Sequence, residues 1–335
     1  MNIGVCGAGT IASWISDILE QLNDEKIVKY GVASAFPEQC PPFAEKYGWK
    51  KIYATYEEMM SDEDIDLIYI AVPNHLHLEV CMQALEHGKN VVVEKPFAVN
   101  YNQAKAMIDK AKEKNVFLSE ALWPAFLPSR KIIDDIIASD RIGDVTGGKL
   151  VGIGNVMFLE RVKKLETGGG ALLDMGPYTL GRMTNHFGNK VLSVTGRFEK
   201  LDTGVDSKDF YTVEYENGVK VECISTIDSP EEEREEWGEI YGTKGSIWFN
   251  VLSNPDTIEI RDLDGNVIDR PELPELIRNR EMHFVSGYEH EWIAFEKAIR
   301  EGKKQTDEAP WEQTLTIAKV MTDLREQAGI VFPFE

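Results

Sequence analysis

Six residues near the start, Gly7-Ala8-Gly9-Thr10-Ile11-Ala12, constrain this chain more than any others. They follow a short apolar run, Asn2 to Cys6, and open a helical pattern that continues to Leu22. This is the Gly-x-Gly-x-x-Gly/Ala pattern in the setting it needs, between a strand and a helix. Gly7 allows a tight turn, Gly9 lets the backbone approach a pyrophosphate, and Ala12 lets the helix pack closely on the strand. The helix start, from Thr10 and Ile11, offers N–H groups and a positive dipole end to phosphates. Without those neighbours the pattern is a plain glycine turn. With them it reads as a dinucleotide site.

The residue that reads the adenosine ribose belongs at the end of the second strand, about 20 residues past the glycines. The second strand spans about Ile27 to Ala33, and the position reads Ala33-Ser34-Ala35-Phe36. It holds no acid for a ribose diol and no arginine for a 2′-phosphate. Ser34 can hydrogen-bond either, so the cofactor is NADP or NAD, with no preference expressed. Glu38 lies beyond Pro37 and reads as a helix-start charge.

The order of strand and helix then repeats. Helical patterns cover Phe43 to Tyr47, Tyr56 to Met60, the stretch from His77 to a C-cap at Gly88, and Asn100 to Lys114. Strands are expected at Ile52-Tyr53, Ile65 to Val72, Val91 to Val93 and Val116 to Ser119. This alternation predicts a doubly wound parallel sheet. Pro73, Asn74 and His77 fall at a strand's C-terminal end, beside the expected cofactor cleft. His77 is there for cofactor contact or for structure. The strand Val91-Val92-Val93 runs into Glu94-Lys95-Pro96. Open α/β sheets bind ligands beyond the C-terminal ends of their strands, which makes Lys95 a site candidate; it reads equally as a surface lysine after a strand that Pro96 stops.

Trp123-Pro124-Ala125-Phe126-Leu127-Pro128 breaks the pattern. It divides the chain into a dinucleotide-binding domain, 1–122, and an α+β domain, 123–335, for substrate binding and oligomerisation. After a helix from about Ser129 to Ala138, strands are expected at 147–155, 192–199, 209–215, 219–227, 236–241, 246–249 and 257–261, with Asn217-Gly218 as a hairpin turn. Such runs without helices between them predict a large, mostly antiparallel open sheet. Helices return at Glu289 to Ile299 and Trp311 to Gln327. Between the first two strands lies Gly168-Gly169-Gly170-Ala171-Leu172-Leu173-Asp174-Met175-Gly176-Pro177-Tyr178. Three glycines before an apolar helix suggest close backbone approach to a ligand. Asp174 and Tyr178, four apart on one helix, would share a face, as a structural pair or, with a dinucleotide nearby, as a proton-transfer site.

At 335 residues two domains are expected. A net charge of −21 argues against nucleic acid or an anionic membrane as partner. No apolar run approaches the roughly 20 residues of a membrane span, and the start lacks the basic and apolar regions of a signal peptide. Cys6, Cys40, Cys81 and Cys223 lack metal spacing and read as buried thiols of a cytoplasmic protein. The run Glu231-Glu232-Glu233-Arg234-Glu235-Glu236 reads as a solvated face, and loops near 158–167 and 231–237 as carriers of substrate specificity.

The segments GAGTIA, AVPNHLH, VVVEKPFAVN, GGGALLDMGPY, EIYGTKGSIWF and AIREGKKQTDEAPWEQTL together resemble the Gfo/Idh/MocA family of oxidoreductases along nearly the whole chain. Six in the family's order are specific. The resemblance implies a Rossmann domain, NAD or NADP as cofactor, and a homodimer or larger homo-oligomer through the C-terminal sheet. Most members carry a histidine acid/base where this chain has Tyr178. The tyrosine, with Glu120-Ala121-Leu122-Trp123, looks like the branch of dimeric dihydrodiol dehydrogenase, glucose–fructose oxidoreductase and NADP-dependent xylose dehydrogenase. That branch usually carries an arginine at the position of Ala35. The resemblance implies Tyr178 as acid/base and Lys95 as its assistant. It also implies Asp174 orienting substrate hydroxyls or the lysine, and Trp123 and Trp248 as walls for a sugar or ring face. Both tryptophans also read as core residues. A free phenol titrates at roughly 10, so Tyr178 needs a neighbouring ammonium to work at neutral pH.

The expected activity is hydride transfer to or from a sugar or vicinal diol. The alternatives are NAD-dependent glycoside chemistry through a keto intermediate, and a non-catalytic dinucleotide-binding regulator. Lys95, Asp174 and Tyr178 together argue against the regulator, which has no use for them.

Overall fold

A computed structural model describes residues 1–230, 235–280 and 287–335. The chain forms two compact units. The first comprises Met1–Ala98, Asn102–Phe126 and Glu275–Thr314, and the second Val99–Tyr101, Leu127–Pro274 and Leu315–Glu335. Most of the acidic run falls at 231–234, outside the described residues.

In the first unit six parallel strands lie in the order β3-β2-β1-β4-β5-β6. They are β1 (Asn2–Cys6), β2 (Val28–Ala33), β3 (Lys51–Ile52), β4 (Leu67–Ile70), β5 (Asn90–Glu94) and β6 (Leu118–Ala121). The strand order reverses between β1 and β4, as the doubly wound reading expects, and ligands bind at such a point. Helices α1 (Thr10–Leu22), α2 (Cys40–Tyr47), α3 (Tyr56–Met60), α4 (His77–Glu86) and α5 (Tyr101–Lys114) alternate with the strands. Strands buried on both faces read as continuous apolar runs. Val91, Val92 and Val93 are fully buried, as are Leu67, Ile68 and Ile70.

The segment Glu275–Thr314 belongs with the first unit although it follows the second in sequence. Its helix (Glu289–Arg300, called α9 below) carries the reason in its aromatic side chains. Trp292 meets Tyr69 edge-on at 5.2 Å, and Phe295 meets Phe126 at 5.2 Å. Both side chains are fully buried, and their burial stabilises the unit by roughly 2–3 kcal/mol each.

The second unit holds eight strands: β7 (Val145–Ile153), β8 (Val191–Lys200), β9 (Asp206–Tyr215), β10 (Lys220–Thr226), β11 (Trp237–Gly242), β12 (Ser246–Asn250), β13 (Ile258–Arg261) and β14 (Val267–Asp269). Their order is β14-β13-β12-β11-β7-β10-β9-β8, antiparallel except for the parallel pair β7–β10. The mostly antiparallel sheet is as expected. β14 was not, because three residues are too few to show an alternation.

One face of this sheet is covered. Leu150, Val213, Val221, Ile240, Ile247 and Phe249 are buried there. Helix α6 is Pro128–Ala138, α7 is Ala171–Asp174 and α8 is Gly176–Phe187. From α8, Thr179 meets Tyr211 and Ser225 through buried hydroxyls at 2.5 and 3.0 Å. The last helix, α10, spans Trp311–Ala328. Among the described residues no helix is long and apolar enough to cross a membrane.

Candidate active site

The glycine turn is wedged between strand ends. The N–H of Gly7 donates to Ala33 O at 2.8 Å, and that of Ala71 donates to Cys6 O at 2.9 Å. Gly7 has φ +108°, and a Cβ there would lie 2.5 Å from Ala71 O. Only glycine fits on both counts. At Gly9 the contrast is complete, because a Cβ would meet no heavy atom within 4 Å. The ladder of α1 begins with Ser13 N–H on Gly9 O at 3.0 Å, after Thr10, Ile11 and Ala12, and the first turn holds no acid. Ala12 is buried, giving the close helix–strand packing expected of it. This cradle fits the pyrophosphate of a dinucleotide.

At the end of β2, Ser34 is buried and its Oγ accepts the N–H of Phe36 at 3.1 Å. The backbone of Ala35 bonds Tyr56, whose phenol burial pushes up to about 12. Phe36 is 60% exposed.

Lys95 follows β5 at the edge of a braced turn. Glu94 is buried, its Oε1 accepts the Tyr69 hydroxyl at 2.5 Å, and its Oε2 accepts the Lys95 N–H at 3.2 Å. The Lys95–Pro96 bond is cis. His77 is buried at the start of α4, with Nδ1 2.9 Å from Pro96 O and Nε2 2.9 Å from Val72 O. Burial lowers it to about 4. A neutral imidazole carries one N–H, so one contact is a hydrogen bond at a time. The ring ties the Lys95 turn to the segment after β4, and both its nitrogens face protein carbonyls. Pro73 leads a single 3-10 turn, Asn74–Leu76, with Asn74 buried. Trp123 is 5% exposed and meets the Tyr288 ring at 5.0 Å, tilted by 53°, within the same unit.

In the second unit Gly169 and Gly170 approach protein. A Cβ on Gly169 would lie 2.5 Å from Val162 O, and one on Gly170, at φ +114°, 2.2 Å from Asp206 Oδ1. Asp206 accepts the Leu172 N–H at 2.5 Å and so caps α7. At Gly169 and Gly170 the close approach on the Cβ side is to Val162 and Asp206 of the protein itself. Asp174 ends α7, is 5% exposed and pairs with Arg161 Nη1 at 3.1 Å. Met175 interrupts the helix before Gly176-Pro177, and Tyr178 lies in the first turn of α8. Asp174 and Tyr178 are therefore on consecutive helices, not on one face of a single helix. Tyr178 is partly buried against Val162, Ala171, Met175 and Ile227.

Trp248 lies elsewhere. In register with Glu239 and Glu259, it points from the open face of the sheet, with Arg261 4.6 Å over its ring. The helix bearing Tyr178 packs on the other face, where Thr179 meets Tyr211 and Ser225. As a substrate wall beside Tyr178, Trp248 is thus displaced by the pleat, which sends Ile247 and Phe249 inward and Trp248 outward. Arg161 is the partner the sequence reading did not name. It sits in a single 3-10 turn, where no periodicity marks a functional cation.

Known proteins match this chain over nearly its whole length. Residues 1–122 match the description "Oxidoreductase family, NAD-binding Rossmann fold", and residues 131–248 "GFO/IDH/MocA C-terminal domain". Trans-1,2-dihydrobenzene-1,2-diol dehydrogenase of Xenopus laevis is 31% identical, with 98% of each chain covered. The mouse enzyme of that name is 27% identical over 98% of this chain and 97% of its own. Among solved structures, levoglucosan dehydrogenase in complex with NADH and levoglucosan superposes with a TM-score of 0.84 at 22% identity, covering 98% of this chain and 97% of that one. A 3-ketoreductase from Actinomadura kijaniata in complex with NADP and TDP-benzene gives 0.82 at 21% identity, with 97% of each covered. At these identities the two structures establish the fold.

Proposed function

The chain belongs to the Gfo/Idh/MocA family of NAD(P)-binding oxidoreductases, and from that premise we propose that it oxidises a carbinol or reduces a carbonyl carbon of a sugar or vicinal diol. The observation that carries the reading is the braced Lys95 turn in a chain whose glycine cradle fits a dinucleotide. Bound nicotinamide would supply or accept the hydride. Gly7, Gly9, Thr10, Ile11 and Ala12 would hold the pyrophosphate through backbone N–H groups, and Ser34 and Ala35 would flank the adenosine ribose. Pro73, Asn74, Glu94, Lys95 and Pro96 would line the nicotinamide end, with His77 acting through Pro96 O.

The protein's own task is to move one proton. Tyr178 is the acid/base. The Lys95 ammonium hydrogen-bonds the substrate oxygen and favours the phenolate of Tyr178. Asp174, fixed by Arg161, orients substrate hydroxyls. Trp123, 5% exposed, bounds the substrate space. The dihydrodiol dehydrogenases among the relatives favour a diol or sugar over glycoside chemistry. Two further readings complete the proposal. Buried thiols at Cys6, Cys40, Cys81 and Cys223 suit a cytoplasmic protein. The open face of the second unit's sheet, with Trp237, Tyr241 and Trp248, suits a homodimer.

Tyr178→Phe tests the assignment of the acid/base. Turnover should fall by about 10²–10⁴-fold, the usual worth of a positioned proton donor, with cofactor affinity nearly intact. A variant with full turnover would remove Tyr178 from that role.

A further inference from the structure

The end of β2 is tied to the glycine cradle. The Gly7 N–H donates to Ala33 O at 2.8 Å, so Ser34, Ala35 and Phe36 lie beside whatever the cradle holds. Their backbone is fixed. The Phe36 N–H goes to Ser34 Oγ at 3.1 Å, and the Phe36 carbonyl accepts the Gln39 N–H at 3.0 Å from the 3-10 turn Pro37–Gln39. The backbones of Ser34 and Ala35 bond the Cys40 thiol and the Tyr56 phenol. On this fixed loop the Phe36 side chain is largely exposed. One exposed apolar side chain is ordinary on a surface, and what sets Phe36 apart is its rigid seat next to the cradle. The charges nearby have the other sign from a phosphate's partners. Between Lys29 and Lys46 the chain has no lysine or arginine, and its ionisable acids there are Glu38 and Glu45. Lys29 turns to Ser16 O at 3.4 Å and to Glu20 at 3.9 Å, and Lys46 lies 4.8 Å over the Tyr47 ring. β3, paired with β2 at Gly31 and Val32, brings Lys51, whose ammonium is held by Asp62.

We propose, resting on the dinucleotide reading of the cradle, that this loop selects NAD over NADP: Phe36 takes the face of the adenine, and the uncharged rim at Ala35 refuses a 2′-phosphate. A phosphate monoester carries roughly −1.5 to −2 at neutral pH and is bound where cations or unengaged N–H groups replace its water. Here the Phe36 N–H is already taken and Glu38 follows. A ribose diol is neutral and leaves far less hydration to replace. The acid that usually holds the diol is missing, so the preference comes from turning the phosphate away and not from a bond to the diol. The adenine needs only a flat apolar partner, because every base has a π face that stacks on an aromatic ring.

The test reads binding and needs no substrate. Fluorescence titration of the full-length chain should give NADH an affinity at least about tenfold above that of NADPH, the worth of one charged contact left unmade. Equal affinities, or tighter NADPH, would overturn the preference. Phe36→Ala should weaken NADH by about tenfold, the usual worth of one base stack, and Phe36→Trp should restore it. The side chain is exposed, so neither variant disturbs the core. ADP-ribose, which has the adenosine and no nicotinamide, should lose the same factor when it competes with NADH. An unchanged NADH affinity in Phe36→Ala, or a loss that ADP-ribose does not share, would overturn the role of Phe36. A chain that binds neither reduced cofactor would instead sink the dinucleotide reading beneath the proposal.

Discussion

On the proposed placement of the cofactor, Ala35 offers no charge beside the ribose, and Ser34 next to it already accepts a backbone N–H. A guanidinium there would meet a 2′-phosphate with paired, charge-assisted bonds. Ala35→Arg should raise the ratio of NADP to NAD affinity by about tenfold or more, the worth of one such bond to a charged group. Fluorescence titration with the two reduced cofactors measures it, and an unchanged ratio would mean that the ribose is read by other residues. Single residues differ in how much of their role the sequence carried. Gly7 was legible because its neighbours in sequence, a strand and a helix, are also its neighbours in space. Arg161 was not, since its partner Asp174 is brought to it only by folding. Trp248 was legible as a residue on a strand, but the face it takes depends on register, and one step reverses it.

The strands of the second unit show the same dependence on pleat. β11 and β12 bury Ile240, Ile247 and Phe249 and leave Trp237, Tyr241 and Trp248 on the open face. Cations partly cover these rings, with Lys149 5.7 Å over Trp237 and Arg261 4.6 Å over Trp248. If a second copy covers this face, light scattering should give at least twice the mass of one chain. Trp248→Glu, which sets a third carboxylate beside Glu239 and Glu259, should shift the mass toward the monomer. A monomeric mass for the unaltered protein would contradict the homodimer. The alternation of helix and strand made the parallel sheet legible, and its central strands β4 and β5 carry the buried apolar runs Leu67–Ile70 and Val91–Val93. The return of Glu275–Thr314 to the first unit was hidden, since nothing local in α9 says which core Trp292 and Phe295 will join.

For the whole molecule, a charge of −21 disfavours polyanionic partners through long-range repulsion. Family membership, the glycine cradle and the braced lysine converge on an NAD(P)-dependent oxidoreductase. The sequence carried the family through six ordered segments. The substrate is not encoded in the same way, because side chains from separate loops have to assemble before they recognise anything. The central claim is that Lys95 serves chemistry on a sugar or diol. The most direct measurement mixes purified protein with NADH or NADPH, or their oxidised forms, and a panel of aldoses and diols, following nicotinamide absorbance. The account predicts turnover of at least one member and a fall of about 10²-fold or more in Lys95→Ala. Tight cofactor binding with no turnover of any member, or turnover that Lys95→Ala leaves unchanged, would contradict it.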